Sequence, residues 1–408
     1  MSIRSSFLFV PLVCAAAASA QTPLTLAEAV NRALSINPQL QTSASRIEAA
    51  AGLRDQAALR PNPKLFLQSE NTRFYNLSNF SYSRDTDNFL YFSQMLETAG
   101  KRGKRREAGA AGVRLAELDQ QVLRRQIATR VALAYWAAAG ASRVRDLLGQ
   151  DVQNFQRIVD YHRNRVQEGA MPESDLIRIE LESQRLKVAL ENAVQDAERT
   201  RIMLFREMGE TEYREITFTE PLEKLRTVDS EGIAGALATK PEILASRQAV
   251  EQARANLVLE QARAKPDPEV LLGYKRTNGF NTVIAGLQVS LPFWNRNQGE
   301  IAAAHAEIRG AEAAVASTEA GARAEIEAAL TGYEARRKLV TETLPPMRQR
   351  AAETARISEA VYREGATDLL RLLDAERTRI ETEVLYYRTL TEFQQSVVAL
   401  ESALGVMP

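Results

Sequence analysis

Four landmarks occur twice in this chain in the same order, and that duplication limits the fold more than any other feature. The first set opens with Ala33-Leu34-Ser35-Ile36-Asn37-Pro38-Gln39-Leu40 and the second with Ala236-Leu237-Ala238-Thr239-Lys240-Pro241-Glu242-Ile243. Each passes through an Ala-rich helical stretch to a Pro-x-Pro stop, Arg60-Pro61-Asn62-Pro63 and Lys265-Pro266-Asp267-Pro268. Each continues through an extended region into two long helical stretches broken by Glu-Gly-Ala, at Glu168-Gly169-Ala170 and Glu364-Gly365-Ala366. The copies close alike, on Glu207-Met208-Gly209 and Ala403-Leu404-Gly405. The organisation read from this is a first repeat over 21–210, a second over 231–408 and, between them, a crossing segment over 211–230. That segment, around Phe218-Thr219-Glu220-Pro221-Leu222, lacks helical periodicity and reads as a loop.

No proline interrupts the chain from Gly103 to Gln167. A helix of that length is about 100 Å long, far more than a globular domain needs, and usually signals a coiled coil. Leu176, Ile179, Ser183, Leu186, Leu190, Ala193, Ala197, Thr200 and Leu204 alternate in steps of three and four. This 3.5-residue period produces a left-handed supercoil. Ala322, Ile326, Ala329 and Tyr333 repeat it in the second copy. So many small residues bury little area each, at about 25 cal/mol per Å². An isolated hairpin would be weakly stable, and each helix gains by touching neighbours on two sides, as in a closed ring. A plain two-helix coiled coil fits the helices alone equally well.

Each copy also carries an extended hairpin, at about 64–95 and about 268–291. In Thr282–Leu291, Val283, Ala285, Leu287, Val289 and Leu291 share one face. In Pro268–Arg276, Val270, Leu272 and Tyr274 share a face and Lys275 takes the other. This period of two marks a wall with one apolar side. Asn278-Gly279 between them is a strong hairpin turn. The first copy offers Lys64–Glu70 and Asn88–Met95, joined by a longer loop over 71–87 holding Phe74, Tyr75, Phe80 and Tyr82. Roughly eight strands are the usual minimum for a single-chain membrane barrel. Four open-edged strands in lipid would leave backbone groups unpaired, at several kcal/mol each. The strands must therefore close with other copies, three of which supply twelve. A soluble four-stranded sheet packed on helices is the alternative.

The N-terminus reads as a secretory signal over 1–20, with Arg4 as the positive region, an apolar Phe7–Ala18 and a cleavage site before Gln21. Cys14, the only cysteine, lies inside it, behind Val13 rather than the small residue a lipoprotein signal needs. Fifty-two basic and 52 acidic side chains balance, so no global field favours nucleic acid. No catalytic constellation is visible. His162 and His305, the two histidines, fall in separate helices with no ligand-spaced carboxylate, and His162 is expected to be solvated. There is no P-loop, dinucleotide fingerprint or nucleophile elbow. The expectation is no enzyme, no cofactor and no resident metal. The basic run Lys101-Arg102-Gly103-Lys104-Arg105-Arg106 suits lipid phosphates or a strand-to-helix junction.

The duplicated helix–hairpin–helix–helix plan, the Asn37-Pro38 opening and the Leu291-Pro292-Phe293-Trp294-Asn295-Arg296-Asn297-Gln298-Gly299-Glu300-Ile301 junction resemble the TolC-type outer membrane factor family over nearly the whole mature chain. Gln94-Met95-Leu96-Glu97-Thr98-Ala99-Gly100-Lys101-Arg102-Gly103-Lys104-Arg105 is similar to the same junction in the CzcC-like heavy-metal efflux branch. The resemblance implies a mainly α fold with a small β part. It also implies a homotrimer with a 12-stranded β-barrel in the bacterial outer membrane, a periplasmic α-helical tunnel, and an equatorial belt from 211–230 and the chain termini. Implied partners are a periplasmic adaptor, an inner-membrane proton-driven pump of the RND type and outer-membrane lipid.

By the same resemblance, the turns after the long helices form the periplasmic tip. Arg165, Glu168 and Gly169 of the first copy, and Arg363, Glu364 and Gly365 of the second, would dock the adaptor. Asp374 matches a pore-constricting acid of relatives, and Arg371 stands where some carry another acid. An Asp374–Arg371 pair would latch the gate or be a plain solvated i,i+3 pair; Asp175 is the first-copy candidate. Arg165 and Arg363 also suit a helix C-terminus, and Asp175 a helix first turn. A duct for drugs or for type I protein secretion would share the architecture. A soluble periplasmic coiled-coil scaffold would share only the helices.

Overall fold

A computed structural model describes residues 22–74, 77–228 and 233–407. The signal expected over 1–20, with Cys14 and the cleavage before Gln21, lies outside the described residues, as do Tyr75 and Ser230. In chain order the elements are β1 (Thr22–Leu24), α1 (Leu26–Ile36), α2 (Pro38–Ala57), β2 (Lys64–Glu70), α3 (Tyr82–Asp85), β3 (Asp87–Met95), α4 (Lys101–Gln167) and α5 (Glu173–Met208). Then come β4 (Ile216–Phe218), α6 (Ile233–Thr239), α7 (Pro241–Arg263), β5 (Pro268–Thr277), β6 (Phe280–Val289), α8 (Gln298–Lys338), α9 (Leu344–Arg363) and α10 (Leu369–Ala403). The chain divides into two compact units. One takes in Asn37–Thr129, Val228–Glu334 and the chain from Ala399; the other takes in the chain up to Ile36, Arg130–Thr227 and Ala335–Val398.

In the first unit, each Pro-led helix starts where the sequence places it. Asn37 is extended (φ −61°, ψ 123°), and its side chain accepts from the Gln39 N–H at 3.0 Å, with Pro38 at the first helical position. This is an N-cap followed by a proline that has no donor to lose. Lys240 takes the same backbone before Pro241 without a side-chain cap. It is 2% exposed, and its ammonium pairs with Glu325 instead. Arg125, also buried, pairs with Glu242 and donates to the Ser402 carbonyl at 2.5 Å, tying α4, α7 and α10 together.

The four long strands form one antiparallel sheet in the order β2-β3-β5-β6. Lys64–Glu70 is the expected strand end to end, and the other three differ from the expected bounds by a residue or two. The register fixes the two faces. Leu65, Phe92, Leu272 and Ala285 lie in one cross-strand row; Leu67, Leu90, Tyr274 and Val283 lie in the next. Gln94, Val270 and Leu287 make a third. The opposite face carries Lys64, Gln68, Ser93, Glu269, Lys275 and Thr282 with the stacked pair Phe66–Tyr91 at 4.7 Å. Leu67 is 75% exposed and Val283 79%, whereas Ser93 is 1% and Asp87 3% exposed. The apolar face is therefore exposed, while the opposite face is crowded along β3 and β5. β2 and β6 each bond a single neighbour, so both sheet edges are unpaired among the described residues.

The loop after β2 is more ordered than the sequence suggests. It holds a 3₁₀ turn at Leu77–Asn79 and the single-turn α3. Phe74 and Phe80 stack at 5.5 Å, and Asp87 accepts from the Asn278 N–H at 3.1 Å across to the β5–β6 turn. The basic run also has a definite role. Lys101 donates to the Lys265 carbonyl and to Asp267, both at 2.6 Å. Arg102 donates to the Ala58 carbonyl at 2.6 Å, and Arg105 to the Ala57 and Leu59 carbonyls at 3.1 Å each while pairing with Glu97. These cations satisfy carbonyls at the end of α2 and just beyond the ends of α2 and α7. Of the two expected uses, the strand-to-helix junction is the one observed.

In the second unit every seam position of α5 is buried or half-buried, and Ile179 and Leu204 have no exposure. Tyr135 is fully buried between Trp136 and Phe218, edge-on at 5.4 and 5.3 Å, and its hydroxyl donates to the Leu24 carbonyl at 3.0 Å. The segment expected as a loop contains β4, which pairs in parallel with β1. Ile216-Thr217-Phe218 is β-branched and aromatic, and so suited to a strand once a partner is present. Gln394 holds the segment beyond, donating to the Leu222 and Lys224 carbonyls at 2.9 Å each. The second long stretch differs from the first. A π turn over Leu339–Thr343 separates α8 from α9, because Pro345 and Pro346 have no N–H to continue an α-helical ladder. No helix among the described residues is long and apolar enough to cross a membrane.

Candidate functional site at the helical tip

The two helical reversals end in the same motif. At the end of α4, Gly169 is left-handed (φ 71°) and its N–H donates to the Val166 carbonyl at 3.0 Å, while the Ala170 N–H donates to the Arg165 carbonyl at 2.8 Å. At the end of α9, Gly365 (φ 75°) donates to Tyr362 and Ala366 to Val361, both at 3.0 Å. These are paired Schellman closures, and a side chain at either glycine would strain the positive φ. Glu168 and Glu364 beside them are exposed. Arg165 lies over the Tyr161 ring at 5.9 Å, and Arg363 pairs with Glu359 at 2.5 Å on its own helix.

The acid expected to pair with Arg371 does not. Asp374 pairs with Arg377 at 2.7 Å, both groups more than half exposed. The Arg371 backbone N–H instead donates to Asp368 at 2.9 Å, at the start of α10. On a helix an acid N-terminal to its base is the better orientation, so Asp374 favours the arginine that follows it over the one that precedes it. Asp175 sits half-buried in the first turn of α5, where the helix dipole favours a carboxylate.

The structure brings together a set that the sequence did not single out. Asp151 of α4, 4% exposed, pairs with Arg379 of α10 at 2.7 Å, and Arg379 also reaches Glu376 at 2.9 Å. His162 of α4 is buried rather than solvated, at 3% exposure. Its Nδ1 lies 2.7 Å from the Ile158 carbonyl and its Nε2 3.0 Å from the Tyr362 hydroxyl of α9. Burial pushes the His162 pKa down, the Ile158 carbonyl opposes that, Arg165 deepens it and Asp175 offsets it; the net direction is downward. Asp151, His162, Glu359, Tyr362, Glu376 and Arg379 line one cleft between the helices. Among the described residues no group of three or more His, Cys, Asp or Glu side chains is placed to hold a metal ion. His305 is exposed on α8.

A profile of the family described as outer membrane efflux protein matches residues 29–209 and 233–406, most of the chain. The chain belongs to the outer membrane efflux protein family. It is a channel component of the outer membrane extending into the periplasm, not an enzyme. Its sequence is 25% identical over 395 residues to the cobalt-zinc-cadmium resistance protein CzcC of Cupriavidus metallidurans, covering 94% of this chain and 90% of that one. The fold matches a crystallised membrane protein from Pseudomonas aeruginosa at TM-score 0.79 and 20% identity, over 95% of this chain and 92% of that one. It matches CusC at TM-score 0.80 and 17% identity, over 93% and 92%. The mainly helical, TolC-like fold that the resemblance implied is the one found.

Proposed function

We propose that this efflux protein is the exit duct of a tripartite system, assembling as a homotrimer that passes heavy-metal cations out of the periplasm. The observation that carries the trimer is the sheet, a four-stranded wall with one apolar face and two unpaired edges. In hydrocarbon those edges must be satisfied by strands, and identical copies offer β2 to β6 around a closed ring. Three copies supply twelve strands and turn the face of Lys64, Gln68, Ser93, Glu269, Lys275 and Thr282 toward the lumen. Exposed apolar side chains off the α5 seam, Ile177 at 59%, Leu181 at 53% and Val188 at 61%, are consistent with a second helical neighbour.

The cargo reading rests on the likeness to CzcC, whose name records cobalt, zinc and cadmium resistance. The pump supplies energy and the duct supplies passage, so the partners are an inner-membrane RND-type pump and a periplasmic adaptor, with outer-membrane lipid around the apolar face. Docking is assigned to the two Schellman turns with Arg165, Glu168, Gly169, Arg363, Glu364 and Gly365, and the gate to Asp374, Arg371 and Asp175. The exposed carboxylates and paired glycine turns favour that placement. The 211–230 segment with the N-terminal strand forms the belt between the repeats. A strain lacking this chain should lose tolerance to cobalt, zinc or cadmium salts while keeping its drug tolerance. Unchanged metal tolerance with increased drug sensitivity would reject the metal cargo in favour of a drug duct.

A further inference from the structure

The apolar face of the sheet ends abruptly toward its hairpin turns. Ser69, Asn88, Arg276 and Asn281 pair across the four strands, on the same face as the row of Leu67, Leu90, Tyr274 and Val283 and directly beyond it. In this last row hydrogen-bonding side chains replace hydrocarbon. The Ser69 and Tyr82 hydroxyls lie 2.6 and 3.0 Å from Asn88 Oδ1, and the Tyr274 hydroxyl donates to Asn281 Oδ1. We infer that Arg276, with the Asn281 amide beside it, binds the phosphate of an outer-leaflet lipid headgroup. The inference rests on the barrel reading and deepens it, by naming the chemistry of the lipid and the side chains that meet it.

Arg276 is the cation that the sheet leaves without an anion. Among the described residues its guanidinium has no hydrogen bond or ion pair, and its Nε is buried without a partner. Every other basic side chain of the sheet and its loops is engaged. Lys64 pairs with Glu269 at 3.4 Å, Arg73 with Asp87 at 3.4 Å and Arg84 with Asp85 at 2.9 Å, and Lys275 lies over the Phe89 ring at 4.9 Å. The strand carboxylates Glu70, Asp87 and Glu269 all fall on the opposite face by the register. A neighbouring copy brings the same strands, so it adds no carboxylate to the face of Arg276. The missing anion must come from what covers that face. α2, α4, α7 and α8 join the sheet at its other end, which puts the hairpin turns at the outer leaflet. With about 3.4 Å per residue and a tilt of about 40°, the strand from Asn281 to Val289 rises about 20 Å, close to the apolar band of such barrels, about 25 Å tall. Arg276 therefore stands at the rim of the band, at headgroup level. An arginine is costly at the midplane but tolerated there, where its long stem lies on apolar surface and its head reaches polar groups. A guanidinium presents parallel donors that match two oxygens of one phosphate. Asn281, exposed on the adjoining strand, keeps its amide N–H groups for a third contact.

The test uses the full-length trimer in phosphatidylcholine nanodiscs that also contain either lipid A or lipid A stripped of its phosphates. Mass spectrometry of the released trimer measures the lipid it keeps. The unaltered protein should keep the phosphorylated form about ten-fold better than the stripped one. That comparison needs no variant, and equal retention of the two would overturn the inference. Arg276→Gln should lose about the same ten-fold. Arg276→Lys, which keeps the charge without the fork, should fall between. Lys275→Gln, next in sequence but on the opposite face, should bind as the unaltered protein does. Unchanged retention by Arg276→Gln, or an equal loss in Lys275→Gln, would overturn the site. Inorganic phosphate should leave the thermal midpoint unmoved; an Arg276-dependent shift equal to that from lipid A would make this a small-anion site and reject the lipid. A protein that inserts as a trimer and binds lipid without regard to Arg276 sinks this inference alone. A monomer that stays out of the nanodiscs sinks the barrel reading and the inference with it.

Discussion

Gly140 of α4 and Thr391 of α10 mark a point where two long helices approach with no room to spare. A β-carbon on Gly140 would lie 1.9 Å from Thr391 Oγ1, 2.7 Å from Cγ2 and 2.8 Å from Cβ. The hydroxyl is not free to swing aside, because it donates to the Tyr387 carbonyl at 2.9 Å. Even with the threonine rotated, its Cβ remains too close, so α4 and α10 must part slightly. Overpacking of this kind costs about 1–3 kcal/mol, while Gly to Ala within a helix returns about 1 kcal/mol. Gly140→Ala is therefore expected to destabilise by up to about 2 kcal/mol despite its better helix propensity. Thr391→Gly removes all three clashing atoms and should restore Gly140→Ala. The double-mutant cycle should give a coupling of about 1–3 kcal/mol in favour of the pair, the overpacking relieved. The assay is the midpoint of thermal loss of helical circular dichroism in detergent, at one scan rate, for the four proteins. Additive effects of the two substitutions would refute the contact.

Leu67→Arg, on the apolar face of β2, should cost about 2–4 kcal/mol in the assembled barrel, whereas Gln68→Arg next to it should be tolerated; yield of folded protein in outer-membrane fractions compares them. Arg125→Ala leaves the Glu242 carboxylate largely buried without its cation and should destabilise by about 3–5 kcal/mol, read as the loss of heat-resistant assembly. Ala99 holds a left-handed φ of 54° at the β3–α4 junction. Ala99→Gly relieves that strain and should raise the thermal midpoint slightly, by about 0.5 kcal/mol of stability.

Much of the architecture was legible because it is carried by periodicity. The α5 seam from Leu176 to Leu204 is set by which side chains avoid water, and burial follows it closely, whereas the alternation through β5 and β6 gathers the apolar side chains on one face that the single chain leaves exposed. β4 was not legible. Three residues have no period, and Ile216–Phe218 becomes a strand only because β1, nearly two hundred residues away, lies beside it. The π turn had a visible signal in Pro345-Pro346, whose missing donors break any α-helical ladder. The tip polar ties also left a trace. Leu148, Asp151, Phe155, Val159 and His162 continue in steps of three and four, and all five are buried. A histidine and an aspartate on an apolar seam point to buried partners, but only the tertiary packing says that these are Tyr362 and Arg379. The choice of Arg377 over Arg371 by Asp374 was decided by local helix orientation, not by the gate.

Everything proposed for the duct requires β2 of one copy to lie beside β6 of the next. The chain's one cysteine, Cys14, falls in the expected signal, so introduced pairs report without background. Phe66→Cys on β2, combined in turn with Ile284→Cys, Gly286→Cys and Gln288→Cys on β6, samples the possible registers of that seam. Oxidation in intact outer membranes should give disulfide-linked species up to three chains for at least one pair. Only single chains from every pair, with the protein extracted by buffer without detergent, would contradict a barrel built by three copies.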